Sequence, residues 1–261
     1  MKYLKLFLYC IVGASTLWEC DFPESKYGVP VVNVPANFAN VLYINAAPDS
    51  VSLTFFLNNS PLSTIPFPKS LSYQNAVATS EQFRIPNVRF GVVGSDTVEA
   101  SADLVLQTNL IGGANYTLFV TDTLARPFKK GSSFTSDQGG LRFSSLIADN
   151  LSVPAIGYSN IRFFNMAPGA STLYLTASGT PFTGVTAGRS YATTSGFTDF
   201  VTIHDGKYDL EIRADSTSGP ILATAPGTDF SDGKIFTIYV TGKVVNSEIK
   251  VAYVINVVPN N

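Results

Sequence analysis

Hydrophobic and polar positions alternate with period two over short runs of this chain. Val51, Leu53, Phe55 and Leu57 fall on one face of a pleated ribbon, with Ser52, Thr54 and Phe56 on the other. A later run keeps the order, with Leu173 and Leu175 inward and Thr172 and Thr176 outward. Gly, Pro, Asn and Asp punctuate these runs, and no stretch combines a sustained 3.6-residue period with helix caps. The pattern predicts strands joined by tight turns. The last run, 249–255, alternates less cleanly and reads as a strand buried on both faces.

Self-comparison organises the strands. Asn40-Val41-Leu42-Tyr43-Ile44-Asn45-Ala46-Ala47-Pro48 matches Asn160-Ile161-Arg162-Phe163-Phe164-Asn165-Met166-Ala167-Pro168 at an offset of 120, and the match runs on into Ser52-Leu53 against Thr172-Leu173. Tyr116-Thr117-Leu118-Phe119-Val120-Thr121 repeats as Phe236-Thr237-Ile238-Tyr239-Val240-Thr241 at the same offset. A block between them, 85–90 against 203–208, aligns at 118. Three blocks in one order mark a tandem duplication. Pro48 and Pro168 lack an N–H and are expected to end the strand before each. On the 118 alignment, Pro86-Asn87 and His204-Asp205-Gly206 become equivalent hairpin turns. The expectation is an all-β chain of two tandem antiparallel sandwiches. Its segments are a leader over 1–20, a linker over 21–36, repeats over 37–148 and 158–261, and a linker over 149–157.

Composition narrows the chemistry. Of 261 residues, 17 are Lys or Arg and 19 are Asp or Glu, for a net charge of −2. Ser (26) and Thr (24) outnumber the charged residues, and the aromatics are mostly Phe (19) and Tyr (12). Such a chain is no coiled coil, no disordered acidic tail and no basic nucleic-acid binder. One His and two Cys remove most metal and nucleophile arrangements.

Both cysteines, Cys10 and Cys20, lie in the first twenty residues. Lys2 and Lys5 precede an uncharged run over 6–18, too short to span a bilayer and of the length of a secretory apolar region. Cys20 follows that run and precedes a polar stretch, so it is the candidate lipidation site, which would tether the chain to a membrane. Leu17 stands three residues before it, as in a lipobox, whereas Trp18 and Glu19 depart from the small residues usual there. Cleavage after Val12-Gly13-Ala14 is the alternative. The linker over 21–36, with Pro23, Pro30 and Pro35, would hold the repeats off the membrane.

Catalytic candidates are few. His204 beside Asp205 imitates part of a hydrolase triad, but a turn explains the pair better. Asp209 and Glu211 share a strand face, with Asp215, Asp229 and Asp232 nearby, and solvent-facing carboxylates explain these best. Gly112-Gly113 and Gly139-Gly140 lack the strand-to-helix setting of a phosphate loop. Tyr43, Phe55, Tyr116, Phe119, Phe163, Phe164, Tyr174, Phe236 and Tyr239 sit at repeat-matched strand positions and read as core. Phe56, on the outward face, is the candidate for ligand contact. No catalytic, metal or cofactor set emerges, and no cofactor is expected.

The paired Asn-x-Ala-Pro strands, each followed by a Ser/Thr-Leu strand, resemble the domain of unknown function 4397. So does Asp149-Asn150-Leu151-Ser152-Val153-Pro154-Ala155, leading to Gly157 and Arg162-Phe163. The resemblance spans most of 37–258 and is strongest in the second repeat; the first has Leu42 where Arg162 stands. It implies immunoglobulin-like β-sandwiches in tandem and an extracytoplasmic bacterial protein such as a Bacteroidetes lipoprotein, and supplies no catalytic residues. Asp49-Ser50-Val51, Asp96-Thr97-Val98, Asp122-Thr123-Leu124 and Asp215-Ser216-Thr217 resemble the O-glycosylation triplet of that group. The resulting expectation is a non-enzymatic, lipid-anchored protein of the cell envelope, at the outer membrane, for adhesion or for binding a cell-surface protein or glycan. A carbohydrate-binding protein of a glycan-uptake system is the alternative.

Overall fold

The computed structural model of the chain describes residues 37–50, 52–92, 99–126 and 139–261. The leader with Cys20, the 21–36 linker and the Thr97 triplet lie outside them. Every regular element among the described residues is a strand. The first repeat supplies β1 (Phe38–Asn45), β2 (Ser52–Leu57), β3 (Ser60–Pro66), β4 (Ser70–Val77), β5 (Ser80–Val92), β6 (Glu99–Asn109), β7 (Asn115–Thr121) and the short β8 (Gly139–Gly140), β9 (Arg142–Phe143) and β10 (Ile147–Asp149). The second supplies β11 (Tyr158–Asn165), β12 (Leu173–Ala177), β13 (Thr180–Pro181), β14 (Val201–His204), β15 (Gly206–Ala214), β16 (Ile221–Phe230), β17 (Ile235–Val245) and β18 (Glu248–Pro259).

Each repeat builds two sheets, in the orders β10-β7-β1-β4 and β3-β2-β5-β6, then β14-β11-β17-β18 and β13-β12-β15-β16. Within each repeat the two sheets enclose one core. Val41, Tyr43, Leu118 and Val120 meet Phe55, Phe83 and Ile85 in the first; Phe163, Ile238 and Val240 meet Leu175, Leu210 and Ile212 in the second. Most pairs are antiparallel, but β1 runs parallel to β7 and β11 parallel to β17. Hairpin logic does not foresee these pairs, because their partners are far apart in sequence.

The opposite faces of β1, β7, β11 and β17 are buried too. Leu42, Ile44, Phe119, Phe164, Met166 and Tyr239 form a third apolar cluster between the repeats. Phe119 meets Phe164 and Tyr239 edge-on, with ring centroids 5.7 and 5.4 Å apart. Strands buried on both faces read as continuous apolar runs rather than alternating ones, and Val41-Leu42-Tyr43-Ile44 has that character. The expected double burial of 249–255 does not occur. These residues lie in β18, at the end of its sheet order, where Ile249 and Val254 are exposed. Tyr253 and Ile255 pack on the second core from one face of the strand, and Val254 on the other face is exposed.

Register also corrects the 118 alignment. His204 lies opposite Tyr158 as Val77 lies opposite Phe38, and Leu210 opposite Ala177 as Phe83 opposite Leu57, so the structural offset there is 127 (204 against 77). His204-Asp205-Gly206 does join two strands, β14 and β15. Pro86 and Asn87 instead sit inside β5 at a register shift, with Asn87 at φ 56° and its N–H donated to Asp103. A bulge accommodates a proline as well as a hairpin does, so residue type alone does not distinguish the two.

Candidate functional site

The Asn-x-Ala-Pro motif is a structural clamp. Asn45 and Asn165 are fully buried. Asn45 Oδ1 accepts the Ala47 N–H and the Ser50 hydroxyl, and its Nδ2 donates to the Ile65 carbonyl. Asn165 Oδ1 likewise accepts the Ala167 N–H, while Nδ2 donates to the carbonyls of Ser171 and Arg189. A buried amide that satisfies its neighbours' backbone groups fixes the turn leaving the strand.

In the second repeat this clamp also holds a long irregular segment. Nineteen residues, 182–200, lie between Pro181 of β13 and Val201 of β14 and contain no helix or strand. A connection of that length in a compact unit is commonly functional. Its centre is Arg189. The Arg189 N–H donates to the Leu173 carbonyl, the Leu173 N–H donates back, and Asn165 holds the Arg189 carbonyl. Gly188 precedes it because a Cβ there would lie 2.3 Å from Thr172 and 2.6 Å from Tyr174.

The Arg189 side chain is only 5% exposed. Nε donates to the Phe163 carbonyl at 3.2 Å, Nη1 to the Ala187 carbonyl at 2.5 Å, and the Phe197 ring lies 3.7 Å from the guanidinium. No described residue accepts a hydrogen bond from Nη2. Burial lowers the pKa of the group. Arg189 lines a cleft of about 280 Å³ with Thr186, Gly196, Phe197 and Asp199, and Arg162 belongs to the same lining. A separate depression of about 310 Å³ is lined by Pro181, Phe182, Lys207, Tyr208 and Asp209. The Phe182 and Tyr208 rings stand 5.3 Å apart there. The cleft can hold a small polar ligand against a fixed cation, and the separate depression offers an aromatic side.

Arg162 joins the cleft to the contact between repeats. Its Nη1 stands 2.7 Å from Asp149 Oδ1 as an ion contact off the hydrogen-bond direction, and both side chains are almost fully buried. Its Nε donates to Thr237, whose hydroxyl donates to Asn260 Oδ1. Asn260 Nδ2 donates to the Tyr73 hydroxyl, which donates to Asp149 Oδ2. Thr117 closes the circuit, accepting from Arg162 Nη2 and donating to Asp149. Burial, then Asp149, raise the Tyr73 pKa. The Phe200 ring lies 4.3 Å from the Arg162 guanidinium, and Nη1 also reaches the Thr198 carbonyl. Sequence reasoning marked Arg162 only as a difference from Leu42, which was the available signal. Asp149, first residue of the expected linker, ends β10.

The remaining candidates are dispersed. His204 is exposed and stacks on Tyr158 at 4.6 Å. Asp209 accepts the Gly227 N–H, and Asp232 accepts the Gly157 N–H. Glu211 accepts from Arg213, Thr176 and Gly179; Arg213 contributes most to holding its carboxyl below the usual range. Asp215 occupies a left-handed turn at φ 63°. Among the described residues no three His, Cys, Asp or Glu side chains gather as a metal site would require. Phe56 is half-buried under Arg84, whose guanidinium lies 4.5 Å from its ring and pairs with Asp103. It offers no open platform. Eight of the repeat-matched aromatics, all but Tyr174, are buried. Ser50 and Thr123, two of the triplet acceptors, are buried as well, which closes them to modification in the folded chain.

A family model described as Domain of unknown function (DUF4397) matches residues 39–176. The matched span begins in β1, covers the first repeat and ends in β12, so it includes Asp149, Arg162 and both Asn clamps. No curated protein matches the chain. The span is more than half of the 261 residues, and the chain belongs to the family of that domain of unknown function.

Proposed function

We propose that this chain is a lipid-anchored cell-envelope protein of the Bacteroidetes type, with two non-catalytic immunoglobulin-like β-sandwiches that serve adhesion or ligand and partner binding. The observation that carries the binding reading is the 182–200 connection, folded without regular structure around the pinned guanidinium of Arg189. Rigid sheets that position an irregular loop are a common design for recognition. Two facing sheets with one core in each repeat support the sandwich assignment. The engagement of His204, Asp209, Glu211 and Asp232 in stacking, turns and ion pairs supports a non-enzymatic role.

Cys20, after the uncharged run 6–18, is the attachment point to the outer membrane in this reading. Cys20→Ala is expected to move the protein from the membrane to the soluble fraction; unchanged partitioning refutes the anchor. Partners are then a cell-surface protein or a glycan. The net charge of −2 argues against nucleic acid as a partner.

One observation favours the narrower reading of a carbohydrate-binding protein in a glycan-uptake system. The depression beside Phe182 and Tyr208 combines an aromatic wall with Lys207 and Asp209, the pairing that sugar rings and hydroxyls require. A glycan array probed with the full chain tests it. Retention of a glycan that is lost in Tyr208→Ala supports the reading, and a blank array sinks it.

A further inference from the structure

Arg189 differs from the other arginines whose side chains are described. Arg84, Arg126, Arg142, Arg162 and Arg213 each have a carboxylate oxygen within 3.2 Å. Arg189 has none, although its side chain is 5% exposed. A guanidinium stays protonated at any physiological pH, so this is a cation largely withdrawn from water without an ion-pair partner. Two carbonyl dipoles and the Phe197 ring offset part of that cost. The same contacts fix the group's position. Nη2 makes no hydrogen bond to a described residue and Nη1 only the one to Ala187, so the end of the fork has donors to spare in a residue that lines the cleft.

We propose that the cleft at Arg189 binds a small ligand through a carboxylate, taken end-on by Nη1 and Nη2. The inference rests on the binding role proposed above and names the ligand chemistry of that site. The charge selects a monoanion. Arg162 is already paired with Asp149, so one unpaired guanidinium matches one carboxylate, and the exposed Asp199 in the same lining weighs more against a doubly charged phosphate than against a monoanion. The volume selects a single unit. About 280 Å³ lies just below the usual range of drug-sized pockets and suits one sugar ring or one amino-acid residue. A uronic acid and a free peptide carboxyl share this chemistry. Binding needs no bond made or broken in the ligand.

The test is a titration of the full chain, followed through its arginine side-chain N–H signals. Glucuronate and N-acetylglycine are the probes, with glucose, N-acetylglycinamide and phosphate as controls. The Arg189 signals, assigned by their absence in Arg189→Lys, are expected to shift saturably with at least one carboxylate and with no control. The tighter of the two carboxylates identifies the source. Arg189→Lys keeps the charge but loses the fork, and should bind about tenfold to a hundredfold more weakly. No saturable shift with either carboxylate overturns the proposal, as does an equal response to phosphate. Where Arg189→Lys fails to fold, the wild-type titration still decides the matter, read as a saturable shift of any arginine side-chain signal with a carboxylate and with no control. It is also independent of partitioning through Cys20 and of glycan retention at Tyr208, so each idea fails on its own measurement.

Discussion

Replacing Asp149 by asparagine would remove one negative charge and little else. The amide keeps the volume and leaves an acceptor for Tyr73 and Thr117, but Arg162 loses its counter-charge at a site where its side chain is 1% exposed. Removing one partner of a buried ion pair costs about 3–5 kcal/mol. The Thr198 carbonyl and the faces of Phe164 and Phe200 still stabilise the guanidinium, which puts the variant near the lower end, about 3 kcal/mol. For a chain of this length each kcal/mol moves the midpoint by about 2–4 °C, so the melting temperature should fall by about 6–12 °C. Arg162→Leu copies Leu42 of the first repeat and strands Asp149 instead, at a similar cost. The double variant strands neither charge. It should be more stable than the two single effects predict, by about 2–3 kcal/mol. Urea denaturation followed by near-ultraviolet circular dichroism measures all four proteins. A loss below about 1 kcal/mol in Asp149→Asn, or simple additivity in the double variant, would refute the reasoning.

Three further expectations follow from the same contacts. Phe119→Ala empties the cluster between the repeats and should cost about 3–5 kcal/mol; because that cluster is shared, calorimetry of the wild type should give one transition, and two separate ones would contradict it. Asn165→Ala leaves the Ala167 N–H and the carbonyls of Ser171 and Arg189 without their buried partner, for a loss of about 2–3 kcal/mol in denaturant, and should broaden the Arg189 side-chain signals as the 182–200 segment loosens. The third concerns alkali. Burial raises the pKa of Tyr43, Tyr73 and Tyr239, and pushes Tyr191 up to about 12. A folded pKa above the unfolded value of 10.0 means that the native state holds these protons more tightly. Their contribution is complete below pH 10 and is lost as pH rises towards the folded values. The urea midpoint should decline above about pH 10 in step with tyrosinate absorbance; an early, non-cooperative tyrosine titration in the folded protein would count against it.

Much of this protein is local and therefore legible in its sequence. Alternation in Ser52–Leu57, turn residues around Pro48 and Pro168, and the repeated Asn-x-Ala-Pro block determine that the chain forms strands, that it forms them twice, and where the first strand of each repeat ends. The aromatics at matched positions could be assigned to a core because both repeats keep them apolar, although parity sends neighbours such as Phe163 and Phe164 to opposite faces. What the sequence could not determine depends on pairing at a distance. Parallel contact between β1 and β7, and between β11 and β17, joins residues 75 positions apart and leaves no local mark. The same holds for the face-to-face packing that buries Ile44 and Phe119 against Phe164, and for the edge position that leaves β18 open. Arg189 sits in an unremarkable Thr-Ala-Gly-Arg-Ser stretch. Only the folded chain brings Phe163, Ala187 and Phe197 around its guanidinium without pairing it to a carboxylate. Periodicity records which face of a strand is apolar, whereas the identity of what covers that face, and the charge a buried group is left with, are set by the tertiary structure.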